Sequence, residues 1–442
     1  MKKIISGVIL AGAVFAVFAT DARVETMGRN SNFFQDETQI HQNAANLGLY
    51  NSIMYGSYGS IARSPSSEAW ETGRDWRPEL PHFGAAVSFG QKDGNLSKFS
   101  VGATFNRVDS ALSYVAKNID VLGLRTDANG NNVFFAGDSL GWSNSLGRAG
   151  DLDLKGKIDL MMAYTLSNGT TIGLGGYLAF QDGARRDLLR GWDRPTTTGS
   201  SKELQNRFVK GNVGVNTNIG DGIDLEASVG ISALTLRGAV PGALQGEDAF
   251  FYAADNDIGV QIDARMFADV ASINGAFVPH IQANIFNYGD GQNIIDFNAG
   301  LGINLNIDRG FFWAGLEGLY KKTSHTLVSL PSETMDRFGE KDIIGGRVGF
   351  GIERNVLTDW FVIRVGGAKL LAKESRNGDK DGSRWIETAD EDHVSLGMGV
   401  NVEDRLRIDF TVAQNLPYTF TSLFSSGGNP YLMSRVSAVF SF

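Results

Sequence analysis

The chain has 442 residues, a formal net charge of −9 and a sequence pI near 5.2. That balance supplies no basic patch of the kind nucleic-acid binding needs, so nucleic acid is not an expected partner. With no cysteine there is neither a disulfide framework nor a thiolate metal site, which suits an oxidising compartment. Glycine is abundant (55) and proline scarce (9), without any collagen-like period, a composition that fits tightly turned, closely packed strands.

From the N-terminus, Lys2 and Lys3 precede an apolar run from Ile4 to Phe18 and then the small residues Ala19, Thr20 and Ala22. This is the plan of a secretory signal peptide over residues 1–22, with cleavage expected after Ala19 or Ala22. About 15 apolar residues fall short of the roughly 20 that a spanning helix needs, and no later stretch reaches 18.

Residues 23–50, RVETMGRNSNFFQDETQIHQNAANLGLY, show no strand rhythm and are long enough to enter a lumen. The adjoining segment IMYGSYGS alternates poorly. It is either the first strand of a wall or part of a plug.

Beyond it the period is two. Ile158, Leu160, Met162, Tyr164 and Leu166 alternate with Lys157, Asp159 and Thr165. Ile258, Val260, Ile262, Ala264 and Met266 alternate with Gln261, Asp263 and Arg265. The clearest case is IIDFNAGLGINLNI at 294–307, whose odd positions are all apolar and whose even positions include Asp296, Asn298, Asn304 and Asn306. A one-residue slip would carry Asp296 into the apolar medium, so register is strongly fixed. Val394 to Val402 and Leu406 to Val412 repeat the pattern. The tail does too: Val436, Ala438, Phe440 and Phe442 oppose Ser437 and Ser441.

Several of these runs are longer than the five or six residues of an ordinary sandwich strand and match the 9–11 that a tilted strand needs to cross a bilayer. Short turns at 92–95, 167–169, 220–222, 308–310 and 403–405 alternate with long connections at 107–155, 181–204, 237–255 and 373–391. An outer-membrane barrel has this asymmetry. The expected fold is therefore all-β: a transmembrane antiparallel up-and-down β-barrel over residues 51–442, with about 14–16 strands and an N-terminal plug segment. The count is 16 if residues 51–60 are a wall strand and 14 if they are not. The expected location is the outer membrane, with membrane lipid as a partner.

Such a barrel encloses a lumen. Its candidate lining is Asp263, Arg265, His280, Glu317, Arg347, Arg407 and Asp409. The signs are mixed, so no ring announces anion or cation selectivity, and most of these charges are expected to pair across neighbouring strands.

Met27-Gly28, then Asp36 and Glu37, then Asn43-Ala44-Ala45-Asn46-Leu47 resemble the opening of the FadL-like family of outer-membrane barrels, including its PorV-like branch. There a Met-Gly-Gly element and an acidic position precede Asn-Pro-Ala-Gly-Leu; here Arg29, Ala44 and Asn46 stand in for glycine, proline and glycine. The resemblance implies that residues 23–50 lie inside the barrel as a hatch, with Met27, Gly28, Asp36, Asn43, Ala44 and Ala45 in it. It also implies passage of hydrophobic molecules through that hatch and a lateral wall opening. Asn43 can equally be read as a capped turn. Terminal Phe442 resembles the C-terminal aromatic by which outer-membrane assembly machinery recognises its clients.

Gly137-Asp138-Ser139-Leu140 spells an esterase tetrapeptide out of its structural context. Asn377, Asp379, Asp381 and Gly382 match half of a calcium loop, with Glu387 one place short, and an acidic, glycine-rich hairpin tip is the better account of them. No cofactor or metal is implied. The functional expectation is a non-enzymatic passive channel for small hydrophobic or amphipathic solutes. One alternative is a surface-binding or scaffold protein that grips polysaccharide or a secretion partner through Trp70, Trp76, Trp142, Trp192 and Trp385. A barrel-embedded hydrolase ranks below it, for want of a serine and histidine sharing a wall site.

Overall fold

A computed structural model of the chain describes residues 21–50, 52–60, 78–90, 98–109, 111–112, 122–126, 132–136, 156–183, 204–244, 247–288, 292–324, 341–356, 359–376, 384–386, 393–403, 405–413, 416 and 432–442. Residues 1–20 of the expected leader, the turn at 92–95, the esterase-like tetrapeptide, most of the calcium-like loop, and the side chains of the five loop tryptophans lie outside the described residues.

Among the described residues nineteen strands succeed one another in chain order: β1 (Ile53–Ser60), β2 (Pro78–Gly90), β3 (Lys98–Phe105), β4 (Leu122–Thr126), β5 (Asn132–Ala136), β6 (Gly156–Thr165), β7 (Thr171–Gly183), β8 (Leu204–Gly220), β9 (Ile223–Leu244) and β10 (Glu247–Val270). Then come β11 (Gly275–Tyr288), β12 (Gln292–Ile307), β13 (Gly310–Ser324), β14 (Lys341–Asn355), β15 (Phe361–Arg376), β16 (Arg384–Ile386), β17 (His393–Val402), β18 (Leu406–Ala413) and β19 (Leu432–Ser441). β4 and β5 form a separate hairpin, and the three-residue β16 lies against β15 in line with β17. The remaining sixteen strands are antiparallel to their neighbours in one closed ladder.

Closure is made by β1. It pairs with β2 on one edge and with β19 on the other, with Ile53 opposite Ser441 and Gly59 opposite Arg435. The segment IMYGSYGS is thus wall, which resolves the count at sixteen. Its weak alternation reflects glycines and tyrosines at positions that neither lipid nor lumen sorts by polarity alone.

The two faces are those the alternation requires. Leu160, Met162 and Tyr164 are exposed while Lys157 and Asp159 are buried. Ile295, Phe297 and Leu301 are exposed, whereas inward His280, Glu317, Arg364, Arg407 and Asp409 are buried. Short connections at 166–170, 221–222, 308–309 and 403–405 join consecutive strands at one end. Two more that the sequence did not announce lie at the same end: the 3-10 turn Ala271–Ile273, closed by left-handed Asn274 (φ 49°), and residues 356–360. Both ends of the ladder, at Ile53 and Ser441, lie there too.

The long connection expected at 237–255 is not a loop. β9 and β10 continue to Leu244 and from Glu247 as a paired ribbon of 22 and 24 residues. Its outer half extends past the neighbouring wall strands and does not keep the period of two by which strands are read.

Residues 21–50 lie inside the barrel. They form helix α1 (Asp21–Thr26) and three 3-10 turns at Ser31–Phe33, Glu37–His41 and Ala44–Leu49. Each 3-10 turn begins with a capping side chain, Asn30, Asp36 and Asn43. Two apolar clusters seat the segment: Met27, Phe33 and Phe34 on Phe267, Val278 and Trp313, and Ile40, Ala44, Leu47 and Tyr50 on Ile53, Ala86, Met161, Ala163 and Val439.

Candidate functional site

Between the two apolar clusters, the N-terminal segment meets the wall through charge. Arg23 on α1 donates Nε to Glu353 Oε2 at 2.8 Å, and Arg407 Nη2 reaches the same oxygen at 2.8 Å. Arg364 bonds to Glu353 and lies 2.8 Å from Asp409. Arg407 in turn holds Asp409 at 3.0 Å. The alternation places Glu353, Arg364, Arg407 and Asp409 on the lumenal face, and the fold adds Arg23. Arg23 lies in a stretch without rhythm, so no periodicity could have flagged it.

A second anchor is Arg265, which binds Glu226 at 2.7 Å and donates Nη1 to the carbonyls of Ser31 and Phe34 at 2.9 and 3.0 Å. It also bonds Gln39, whose side chain closes a capping box with Asp36. A third is Glu317, 2.7 Å from both His280 Nε2 and Arg347 Nε, and accepting from Asn32 at 3.2 Å. The charges of the wall therefore pair with the N-terminal segment as well as across strands, which goes beyond the expected strand-to-strand pairing. Asp263, one row above Arg265 on β10, makes no such contact with the segment among the described residues.

The two motifs of the resemblance sit where the backbone comes closest to the wall. Met27 O accepts from Trp313 Nε1 at 3.1 Å. Gly28 has φ +89°, and a Cβ there would lie 2.8 Å from Phe350 O, so only glycine fits. Asn43 Oδ1 accepts from Ala45 N at 3.0 Å while its Nδ2 donates to Val215 O at 3.1 Å, so it is both a capped turn and a tie to β8. Opposite it, wall Gly173 and Gly214 leave no room for a side chain against Ala44, Ala45 and Asn43. Wall glycines are thus landing points for the inner segment, a role that composition alone does not reveal.

β3 is the shortest wall strand apart from its equals β1 and β18, and the chain turns inward after it. Asn106, at φ +66°, donates Nδ2 to Pro81 O at 2.8 Å. Arg107 then grips Asp159 at 2.6 Å and Asp109 at 3.0 Å, and Lys210 reaches Asp109 at 3.3 Å. β2 residues 78–82 have no partner on the β3 side among the described residues.

Near the β1 seam, Asp21, Glu37, Thr38, His41, Tyr55 and His82 border a crevice of about 300 Å³, open solvent included. Ser57 and His82 are register partners, and Asp21 lies 3.0 Å from His82, so a serine and a histidine do share a wall site. Ser57 Oγ is instead bonded to Ser437 Oγ at 2.9 Å. Burial raises Asp36 to about 6 against the pull of Arg23, and raises Glu37 further beside Asp36. Burial likewise holds His41 below its usual range, next to Arg107. Asp21 is lowered: burial opposes this, but the His82 hydrogen bond and charge prevail.

Outward, Phe83, Phe89, Phe99, Leu160, Ile231, Leu316 and Ile344 are exposed around a closed ladder, and Phe440 stacks on Phe442 at 6.3 Å. Only a bilayer satisfies a closed cylinder that turns this surface outward and its charges inward. This is an outer-membrane β-barrel. No helix among the described residues is long and apolar enough to cross a membrane.

No protein-family model and no curated protein matches the chain. The barrel is similar to the Pseudomonas putida toluene transporter TodX, with 11% identity, 97% of this chain and 100% of that one covered, and a TM-score of 0.38. It is also similar to CdiB from Escherichia coli (10%, 88% and 63%, TM-score 0.40) and to Vibrio cholerae OmpT (10%, 88% and 99%, TM-score 0.35). An N-terminal segment inside the barrel agrees with the FadL-like resemblance of residues 27–47, although that family has about 14 strands and this wall has sixteen.

Proposed function

We propose that the barrel is a passive conduit for small hydrophobic or amphipathic solutes, closed at the end of its short turns by residues 21–50 and open sideways above β3. The observation that carries this reading is the stretch of β2 that β3 leaves unpaired among the described residues. Eight tilted residues rise roughly 20 Å, less than the apolar band of about 25 Å they have to cross. The inward turn at Asn106 then leaves β2 residues 78–82 without a strand partner on that side, among the described residues. A solute leaving the lumen there would enter the outer half of the bilayer without crossing water. Met27, Gly28, Asp36, Asn43, Ala44 and Ala45 are the hatch in this reading, and Phe442 the assembly signal.

The test is uptake of a labelled medium-chain fatty acid into liposomes carrying the full chain. A Pro81→Cys/Asn106→Cys pair joins the two sides of the gap. Oxidation should stop uptake and reduction restore it; uptake unaffected by the cross-link contradicts the lateral route.

The scaffold alternative draws on the ribbon of β9 and β10, whose outer halves pair only with each other and extend beyond β8 and β11. A strand edge without a ladder partner among the described residues suits strand addition by a partner.

A further inference from the structure

Above the row Arg265, His280 and Glu317, where contact with the N-terminal segment ends, β10, β11 and β12 carry two further inward rows. Gln261 is the register partner of Asn284, and Asn284 of Asp296; Asp263 pairs with Gln282, and Gln282 with Asn298. Six polar side chains thus occupy two rows on three adjacent strands, about 4.8 Å apart across the strands. Gln261 Nε2 donates to Asn284 Oδ1 at 3.0 Å, and Gln261 Oε1 is buried without a hydrogen-bond partner. The next row up is Gly259, Phe286 and Ile294, where Phe286 and Ile294 are fully buried. Inward Phe208 and Leu234, on β8 and β9, are buried as well.

We infer that this panel binds the hydroxylated head of an amphipathic solute; Phe286 and Ile294, already fully covered, close off the row above it. The inference rests on the conduit reading and narrows its solute class. Amides offer both donors and acceptors, and carboxylates accept only, so the panel complements groups that donate and accept at once. Hydroxyls on a sugar ring do both at this spacing. An anion would meet Asp263 and Asp296; of the cations beside the panel, Arg265 below is held by Glu226 and Lys321 is the register partner of Asp296. A plain hydrocarbon would bury the panel's polar atoms without replacing their hydrogen bonds.

The experiment is calorimetric titration of the detergent-solubilised full chain with phenyl β-glucoside, and with naphthalene as the apolar control. Gln282→Ala and Asn298→Ala, singly and together, are compared after their heat-modifiable electrophoretic mobility has shown them folded. Neither residue contacts the N-terminal segment among the described residues, and a truncation adds no volume. The wild type should bind the glucoside, and the double variant should bind it at least tenfold more weakly while naphthalene binding is unchanged. No binding by the wild type, equal binding by the double variant, or an equal loss for naphthalene overturns the inference. Liposome uptake separates the two readings: passage without glucoside binding keeps the conduit and removes the panel, and binding without passage does the reverse.

Discussion

Arg23 and Glu353 are 330 positions apart in the chain and 2.8 Å apart in the barrel. Arg23 is nine-tenths or more buried, and Glu353 also serves Arg364 and Arg407, so one carboxylate holds three guanidinium groups in place. Removing one partner of a buried ionic network costs about 3–5 kcal/mol, because the others are left uncompensated. Glu353→Gln should therefore loosen the N-terminal segment by an amount of that order. Protease cleavage between residues 23 and 50 in folded, micelle-bound protein measures it. Cleavage at the wild-type rate contradicts the anchoring role.

Gly173 and Gly176 give a matched pair of substitutions. Gly173 faces the backbone of Ala44 and Ala45, while a Cβ on Gly176 meets nothing within 4 Å. Gly173→Ala should displace the inner segment at a cost of about 1–3 kcal/mol, and Gly176→Ala should leave it in place. The same protease assay reads both, and equal behaviour of the two variants removes the landing role of Gly173.

Asp36 gives a pH dependence whose sign is fixed. Its carboxyl is raised from 3.8 to about 6 when the segment is docked, by burial first, so the docked state holds the proton more tightly than the free one. Docking is then favoured by this group below pH 4 and progressively less as pH rises towards 6, by up to about 3 kcal/mol across the interval. His41, held low, acts oppositely as pH falls below its free value. The comparison is therefore wild type against Asp36→Asn: the variant's advantage in docking should grow from pH 4 to pH 6 and then level off. A constant difference over that range contradicts the assignment.

Phe442 stands outside the barrel, 60% exposed. Phe442→Ala should lower the amount of barrel assembled in cells while leaving the unfolding temperature of detergent-refolded protein within a few degrees of wild type. A large fall in that temperature would make the residue structural rather than a signal.

The wall was legible in the sequence because lipid and water sort alternate residues by polarity. Leu160 against Asp159, and Leu301 against Gly300 and Gly302, are sufficient to fix faces and register. The alternation fades where that sorting stops. The outer halves of β9 and β10 read as a loop because residues 237–255 do not keep the period of two. Ile294 and Phe286 are apolar yet point inward, as their parity with Asp296 and Asn284 requires. The charged lining was legible as a set, but not its partners. Arg23 and Asp109 lie in segments with no period, and Gly173 and Gly214 matter only because the chain near Asn43 packs on them.

The most direct measurement of the whole account is single-channel conductance in planar bilayers, comparing the full chain with one lacking residues 23–50. The account predicts small or silent currents for the full chain and large, steady steps for the shortened one. Equal conductance from the two folded proteins would contradict a lumen closed by its own N-terminus.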